Sequence, residues 1–334
     1  MSSNTIVSFI PVEPENRARI RAIAPDLEFV CLYLESAPIM TREKPDVDGN
    51  TDAIRRASVA FGVLPLELVP EMPELRWVHL SMAGADRYCK KGALPDDVLL
   101  SCSTGAFGQA ISEHMLACTL ELIKKLELYR DDMAEGIWSD HGFVRSPEDL
   151  TVLVIGLGDI GSRYARLMKL MGSKVIGVRR SGASMPDCVD ELYHQDAIDR
   201  LLPQADVVAL ALPNTPETIG LIDSRRLTLM KEGSILLNVG RGNAVLTDDL
   251  CAALESGHLA GAALDVTDPE PLPPSHRLWR IPTAVITPHV SGFFHLRKTY
   301  DNIIDIFCAE LERYVSGQPV VNTVDRSTGY RRTM

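Results

Sequence analysis

Residues 151–161 read Thr-Val-Leu-Val-Ile-Gly-Leu-Gly-Asp-Ile-Gly, and this run constrains the fold more than any other part of the chain. Thr151–Ile155 is β-branched and apolar, as a strand buried on both faces should be. Gly156, Gly158 and Gly161 follow at the spacing of a strand-to-helix turn that receives a dinucleotide pyrophosphate. Each glycine has a mechanical reason. Gly156 permits the tight turn, Gly158 lets the phosphates approach the backbone, and Gly161 lets the helix pack close to the strand. The helix that follows, to about Met171, then offers unpaired N–H groups and its positive dipole end to the phosphates, with Asp159 and Ile160 of the turn as further cofactor-binding candidates.

Roughly 20 residues further on, a site of this kind usually carries an Asp or Glu that holds the ribose 2′-hydroxyl. This chain instead reads Val178-Arg179-Arg180-Ser181. A carboxylate there would repel a 2′-phosphate, whereas two guanidiniums and a hydroxyl would bind it through charge-assisted hydrogen bonds. The sequence therefore predicts NADP, with NADPH preferred over NADH. The plainer alternative is a pair of solvated surface arginines at a strand end.

The rest of the chain alternates apolar strands with amphipathic helices, the pattern of parallel α/β sheets. Short strands are expected near Ile6–Phe9, Glu28–Tyr33, Val59–Phe61, Arg76–Leu80 and Val98–Cys102. A helix over about Gln109–Leu126 carries Ile111, Met115, Cys118 and Leu122 at three- and four-residue spacing. Residues 129–149 read as irregular. Further strands fall at Lys174–Val178, Val207–Leu212, Ser234–Val239, Ala260–Val266 and Ala284–Thr287. A last helix spans about Arg297–Val315, and the tail from Gln318 reads as irregular.

With 334 residues, the chain is long enough for about two domains. Its net charge of −11 argues against a nucleic-acid footprint, so an anionic ligand needs a local cluster of positive charge. The seven cysteines are scattered and form no Cys-x-x-Cys pair, which points away from a metal site and towards a reducing compartment. No basic-then-apolar leader and no bilayer-length apolar run is evident, so a cytoplasmic protein without membrane partners is expected.

Three later strands end in charged segments: Asn238-Val239-Gly240-Arg241-Gly242, then Asp265-Val-Thr-Asp-Pro-Glu270-Pro, then Pro288-His289-Val-Ser-Gly292. In open parallel sheets, ligands bind beyond the carboxyl ends of the strands. Arg241 has the planar fork that binds a carboxylate or polarises a carbonyl. His289 can give a proton to an oxygen or take one from it. Glu270 beside the imidazole would stabilise its protonated form and fix its orientation.

Taken together, "VIGLGDIG", "LALPNTPET", "NVGRG", "ALDVTDPEPLP" and "TPHVSG" resemble the D-isomer-specific 2-hydroxyacid dehydrogenases. The segments stand in family order over nearly the whole chain, and the ending "NTVDRSTGY" is similar to the glyoxylate/hydroxypyruvate reductase branch. The resemblance implies two doubly wound α/β domains with the active site in the cleft. The Rossmann NADP-binding domain would be 103–291. A discontinuous, flavodoxin-like substrate domain would be 1–102 and 292–334.

The implied activity is hydride transfer from NADPH to a small 2-keto acid, giving a D-2-hydroxy acid, with Arg241, Glu270 and His289 as the catalytic set. The loop Ser81–Asp86, including Met82, Ala83 and Gly84, resembles the family's carboxylate-holding loop. Leu212, Pro213, Val239, Gly240 and Asp265 match cofactor-lining positions, alongside Arg241 and His289. The family commonly forms homodimers, and Trp138 resembles a residue that reaches the partner's site; an ordinary packed Trp is the alternative.

Two other readings share the fold. One is formate or phosphite oxidation; Glu270 argues against formate, because formate oxidation has no hydroxyl proton to move. The other is a dinucleotide-sensing, corepressor-like scaffold without turnover. Phe293 and Phe294, after the His289 motif, leave the substrate side chain open.

Overall fold

A computed structural model describes residues 4–41, 43–180, 184–327 and 329–331. The chain divides into two units, one of residues 1–107 with 294–334 and one of residues 108–293.

The first unit is built on five strands, β1 (Thr5–Ser8), β2 (Glu28–Cys31), β3 (Ala57–Phe61), β4 (Trp77–Leu80) and β5 (Leu99–Cys102). They pair in the order β2-β1-β3-β4-β5, all parallel. This is the flavodoxin-like order, with its switch point between β1 and β3. The helices Pro14–Ile23 and Arg297–Val315 pack against one another. Under the sheet, Phe307 stacks on Phe61 at 3.9 Å and lies 5.4 Å from the ring of His79.

The tail is more ordered than the sequence pattern suggests. Glu310 is buried and accepts from the N–H groups of Val321 and Asn322. Thr323 then bridges to Ser101, and Val324–Asp325 pairs antiparallel with Tyr330–Arg331.

The second unit holds seven strands: β6 (Thr151–Ile155), β7 (Lys174–Val178), β8 (Glu191–Tyr193), β9 (Val207–Leu210), β10 (Ser234–Asn238), β11 (Leu259–Leu264) and β12 (Ala284–Ile286). Their order is β12-β11-β10-β9-β6-β7-β8, all parallel. The chain runs outward from β6 to β8, then returns to β9 on the other side of β6. The crevice at the carboxyl ends of β6 and β9 is therefore a topological switch point, where ligands bind in doubly wound sheets. The fold is thus two parallel-sheet α/β domains, with the order of a Rossmann domain in the second unit.

One expectation needs correction. Residues 129–149 are not irregular throughout. The long helix stops at Lys124, Lys125 takes a left-handed conformation at φ 59°, and a second helix runs Leu126–Glu135. Gly136, which reads in the sequence as a break inside a loop, is the left-handed C-cap of that helix. The edge strand β8 also goes unseen in the sequence, being only three residues long.

His79 lies on β4 and is fully buried, and burial pushes its imidazole down from the ordinary 6.5 to about 3. Between those values the unfolded chain binds a proton that the folded chain refuses, so stability falls as the pH drops from about 6.5 towards 3. The slope from this one group is about 1.4 kcal/mol per pH unit. Denaturant unfolding across this range should show a shallower decline for His79→Gln than for the parent. Equal slopes would contradict a buried neutral histidine.

Candidate active site

The glycine turn lies at the carboxyl end of β6. Gly156 has φ +101°, and a Cβ there would stand 2.5 Å from the Ala211 carbonyl oxygen. A Cβ on Gly161 would stand 1.9 Å from the Gly156 carbonyl oxygen, so the helix Asp159–Leu170 packs too closely for any side chain. Gly158 is different. It is exposed, its φ of −78° suits any residue, and a Cβ there would meet no atom of the described residues within 4 Å. The chain's own packing does not need a glycine at 158. The space it leaves fits a phosphate drawn against the backbone.

Asp159 and Ile160 open the helix, and Asp159 pairs with Arg163 one turn on at 2.9 Å. At the end of the neighbouring β7, Arg179 donates through Nη2 to the Ser184 carbonyl. Its Nε is buried with no hydrogen-bond partner among the described residues. Arg180 is exposed. Glu217 is held below the usual carboxylate range first by its hydrogen bond with Thr215, then by its own backbone N–H and by the positive charge of Arg180. Ser181 lies outside the described residues. The exposed Arg180, beside the glycine turn, suits a phosphorylated ribose.

On the other side of β6, Leu212 and Pro213 leave the end of β9 partly buried. Val239 donates to Leu210, and Gly240 passes so close that a Cβ would lie 2.6 Å from the Leu212 carbonyl oxygen. The buried Asn238 side chain accepts from Gly240 N–H at 3.1 Å and donates to the Arg241 carbonyl at 2.9 Å. Gly242 closes the loop, since a Cβ there would sit 1.9 Å from the Thr267 carbonyl oxygen. Arg241 is thereby fixed at the backbone on both sides, at the end of β10.

β11 and β12 lie side by side, and their following loops bring Glu270 and His289 together. Glu270 Oε1 lies 2.7 Å from His289 Nδ1, with the two side chains 43% and 52% exposed. A carboxylate only accepts, so Nδ1 carries the hydrogen and Nε2 is left for other chemistry. The same orientation serves a neutral imidazole as a base and an imidazolium as an acid.

His289 adopts a left-handed backbone, φ 53°, which a non-glycine residue rarely does without support. The support is Asp265, a buried residue. Its carboxylate accepts from the Thr287 hydroxyl at 2.6 Å, from Val290 N–H at 2.9 Å, and from both the N–H and the hydroxyl of Ser291. Its carbonyl accepts from His289 N–H at 2.9 Å. His114 Nε2 stands 3.3 Å from the Thr287 hydroxyl and extends the network to the helix Gly108–Lys124. The resemblance matches Asp265 to a cofactor-lining position; in the structure its carboxylate also clamps the histidine loop. His114, Thr287 and Ser291 were not singled out in the sequence, because nothing in their spacing reveals a shared acceptor.

The loop Ser81–Asp86 belongs to the first unit, after β4. Met82, Ala83 and Gly84 are partly exposed. Ala85 N–H donates to the Gly329 carbonyl at 3.3 Å, so the tail ties down the far end of the loop.

Trp138 is fully exposed, at 103%, as is Phe143 at 100%. They project from a well-braced segment rather than a loose one. His141 bonds Asp132 at 2.8 Å, its ring meets Tyr129 edge-on, and its N–H donates to the Tyr129 hydroxyl. The alternative of a packed tryptophan does not hold in this chain.

The family model described as "D-isomer specific 2-hydroxyacid dehydrogenase, NAD binding domain" matches residues 116–291. Solved structures show the same likeness over the whole chain. A D-isomer specific 2-hydroxyacid dehydrogenase family protein of Aeromonas salmonicida is 30% identical, with a TM-score of 0.83 over 97% of this chain and 99% of that one. A D-isomer specific 2-hydroxyacid dehydrogenase of Xanthobacter autotrophicus, in complex with NADPH and MES, is 27% identical, with a TM-score of 0.80 over 98% of this chain and 100% of that one. An NADPH-dependent glyoxylate/hydroxypyruvate reductase of Sinorhizobium meliloti, in complex with NADP and sulfate, is 27% identical, with a TM-score of 0.77 over 98% of this chain and 100% of that one. A chain whose parallel sheet carries this glycine turn and this paired His and Glu, and which matches that family model over more than half its length, belongs to the D-isomer specific 2-hydroxyacid dehydrogenase family.

Proposed function

We propose that this chain reduces a small 2-keto acid of the glyoxylate or hydroxypyruvate type to the D-2-hydroxy acid with NADPH. The observation that carries this reading is the Glu270–His289 pair, held on the edge of the sheet that also bears the glycine turn. In this reading 108–293 is the NADP-binding unit, and 1–107 with 294–334 is the substrate-binding unit.

Bound NADPH supplies the hydride. Gly156, Gly158 and Gly161 with the helix from Asp159 would hold its pyrophosphate, and Arg179, Arg180 and Ser181 its 2′-phosphate. Leu212, Pro213, Val239 and Gly240 would line the rest of its path. Arg241 orients and polarises the substrate through its planar fork. His289 gives a proton from Nε2 to the keto oxygen as charge builds there. Glu270 accepts from Nδ1 and so keeps Nε2 directed away from itself. Asp265 positions His289 rather than reacting. The Met82–Gly84 backbone holds the substrate carboxylate.

A corepressor-like scaffold can keep the same motifs, and loss of NADPH absorbance with a 2-keto acid separates the two readings. A second copy of the chain is the proposed partner. The braced, fully exposed Trp138 and Phe143 support a homodimer made through this segment, with Trp138 reaching the partner's substrate. All seven cysteines are free thiols, and among the described residues no helix is long and apolar enough to cross a membrane. A cytoplasmic enzyme suits both facts.

Steady-state kinetics with both cofactors tests the assignment. The parent should favour NADPH in kcat/KM, and Arg179→Asp should reverse the order, each lost charged hydrogen bond being worth about 1.5–3 kcal/mol. An NADH preference in the parent would overturn it. His289→Gln should lower kcat by about 10²–10⁴-fold with NADPH affinity unchanged; near-parental turnover would remove His289 from its role. Asp265→Asn keeps the shape but loses acceptor capacity beneath the histidine loop. It should lower stability by about 1–3 kcal/mol and reduce kcat, with pyrophosphate contacts intact. Normal turnover in a destabilised variant would show that the clamp does not serve catalysis.

A further inference from the structure

Beneath the Ser81–Asp86 loop, four side chains of the first unit form one buried polar line through an otherwise apolar core. Trp77 Nε1 donates to Ser101 Oγ at 2.8 Å. Ser101 Oγ lies 2.7 Å from His79 Nδ1, and His79 Nε2 lies 3.2 Å from Ser103 Oγ. Ser103 Oγ donates to the Leu80 carbonyl at 2.8 Å. Trp77, His79, Ser101 and Ser103 are all fully buried.

The ends of this line fix the direction of every hydrogen in it. An indole N–H can only donate, and a carbonyl can only accept. Ser103 spends its one hydrogen on Leu80, so towards His79 it can only accept, and Nε2 must carry the imidazole hydrogen. Nδ1 is then an acceptor and takes the hydroxyl hydrogen of Ser101, which in turn accepts from Trp77. The opposite tautomer would ask the Ser103 hydroxyl to serve two acceptors with one hydrogen. Aligned bonds of one polarity strengthen one another in a low-dielectric core.

The line ends on the loop. Leu80 is the last residue of β4, and Ser103 N–H donates to both the Leu80 and Met82 carbonyls at 3.0 Å. Ser103 therefore grips the backbone on either side of Ser81, where the loop begins.

We infer that the directed line Trp77–Ser101–His79–Ser103 sets the backbone shape of the Met82–Gly84 loop, which makes His79 and Ser103 positioning residues for substrate binding. The inference rests on the reading of that loop as the holder of the substrate carboxylate. His79 has no role in the chemical step; it acts through Ser103.

The test joins hydrogen–deuterium exchange to kinetics on the full-length protein. In Ser103→Ala and His79→Leu, the amides of residues 82–86 should exchange at least about fivefold faster than in the parent. The KM for the 2-keto acid should rise about tenfold, while NADPH affinity stays within about twofold. His79→Gln, which keeps one donor and one acceptor in the line, should restore most of both effects. If His79→Leu does not fold, Ser103→Ala carries the test alone. Unchanged loop exchange in a folded variant overturns the inference. Faster loop exchange with an unchanged KM supports the hold on the loop and overturns the carboxylate reading instead.

Discussion

The Asp265 carboxylate is the constraint on which the site depends. A histidine with φ near +53° stores strain, and strain persists only where the surroundings over-determine it. Here one buried side chain collects bonds from Thr287, Val290 and Ser291, and its own backbone carbonyl takes the His289 N–H. Released from these, residues 287–291 could relax to an ordinary loop, and Nδ1 of His289 would lose its approach to Glu270. The Glu270–His289 pair is thus held by a carboxylate that bonds to neither of its two side chains.

The same logic recurs along the carboxyl edge of the seven-stranded sheet. Asn238 does for Arg241 what Asp265 does for His289, bonding the loop on both sides of the guanidinium-bearing residue. Gly240 and Gly242 let that loop run against Leu212 and Thr267 without side chains in the way. Functional groups project from loops, but buried polar groups at the strand ends shape those loops. In the first unit, Ser103 and His79 stand in a similar relation to the Ser81–Asp86 loop.

Much of this was readable in the sequence. The glycine turn was legible because both its flanks, a β-branched strand and an amphipathic helix, carry their own periodicity. The last helix was located at Arg297–Val315 because Ile303, Phe307 and Leu311 recur on one face and are buried there. Arg241, Glu270 and His289 stand out in the sequence because each follows a strand within a dense motif. What stayed hidden depends on the backbone. Half the donors to the Asp265 carboxylate are backbone N–H groups, which nearly every residue has, and nothing in the sequence ties the Thr287 and Ser291 hydroxyls to one acceptor. Lys125 gave no sign of its left-handed turn, and the Leu126–Glu135 helix was lost behind it. His79 carries no sign in the sequence of its bonds to Ser101 and Ser103, which stand 22 and 24 residues away on the neighbouring strand and just beyond it.

Gly158 separates what the protein needs for itself from what it keeps for a ligand. Gly156 and Gly161 are demanded by neighbouring backbone, whereas the space at Gly158 is open to the outside. The central claim is that this opening and the acid-backed imidazole serve one reaction. The most direct measurement follows NADPH absorbance with a panel of 2-keto acids and resolves the chirality of each product that has a stereocentre, such as that of hydroxypyruvate. The account predicts loss of NADPH in equal amount to a D-2-hydroxy acid. An L-product, or no turnover with any member of the panel, would contradict it.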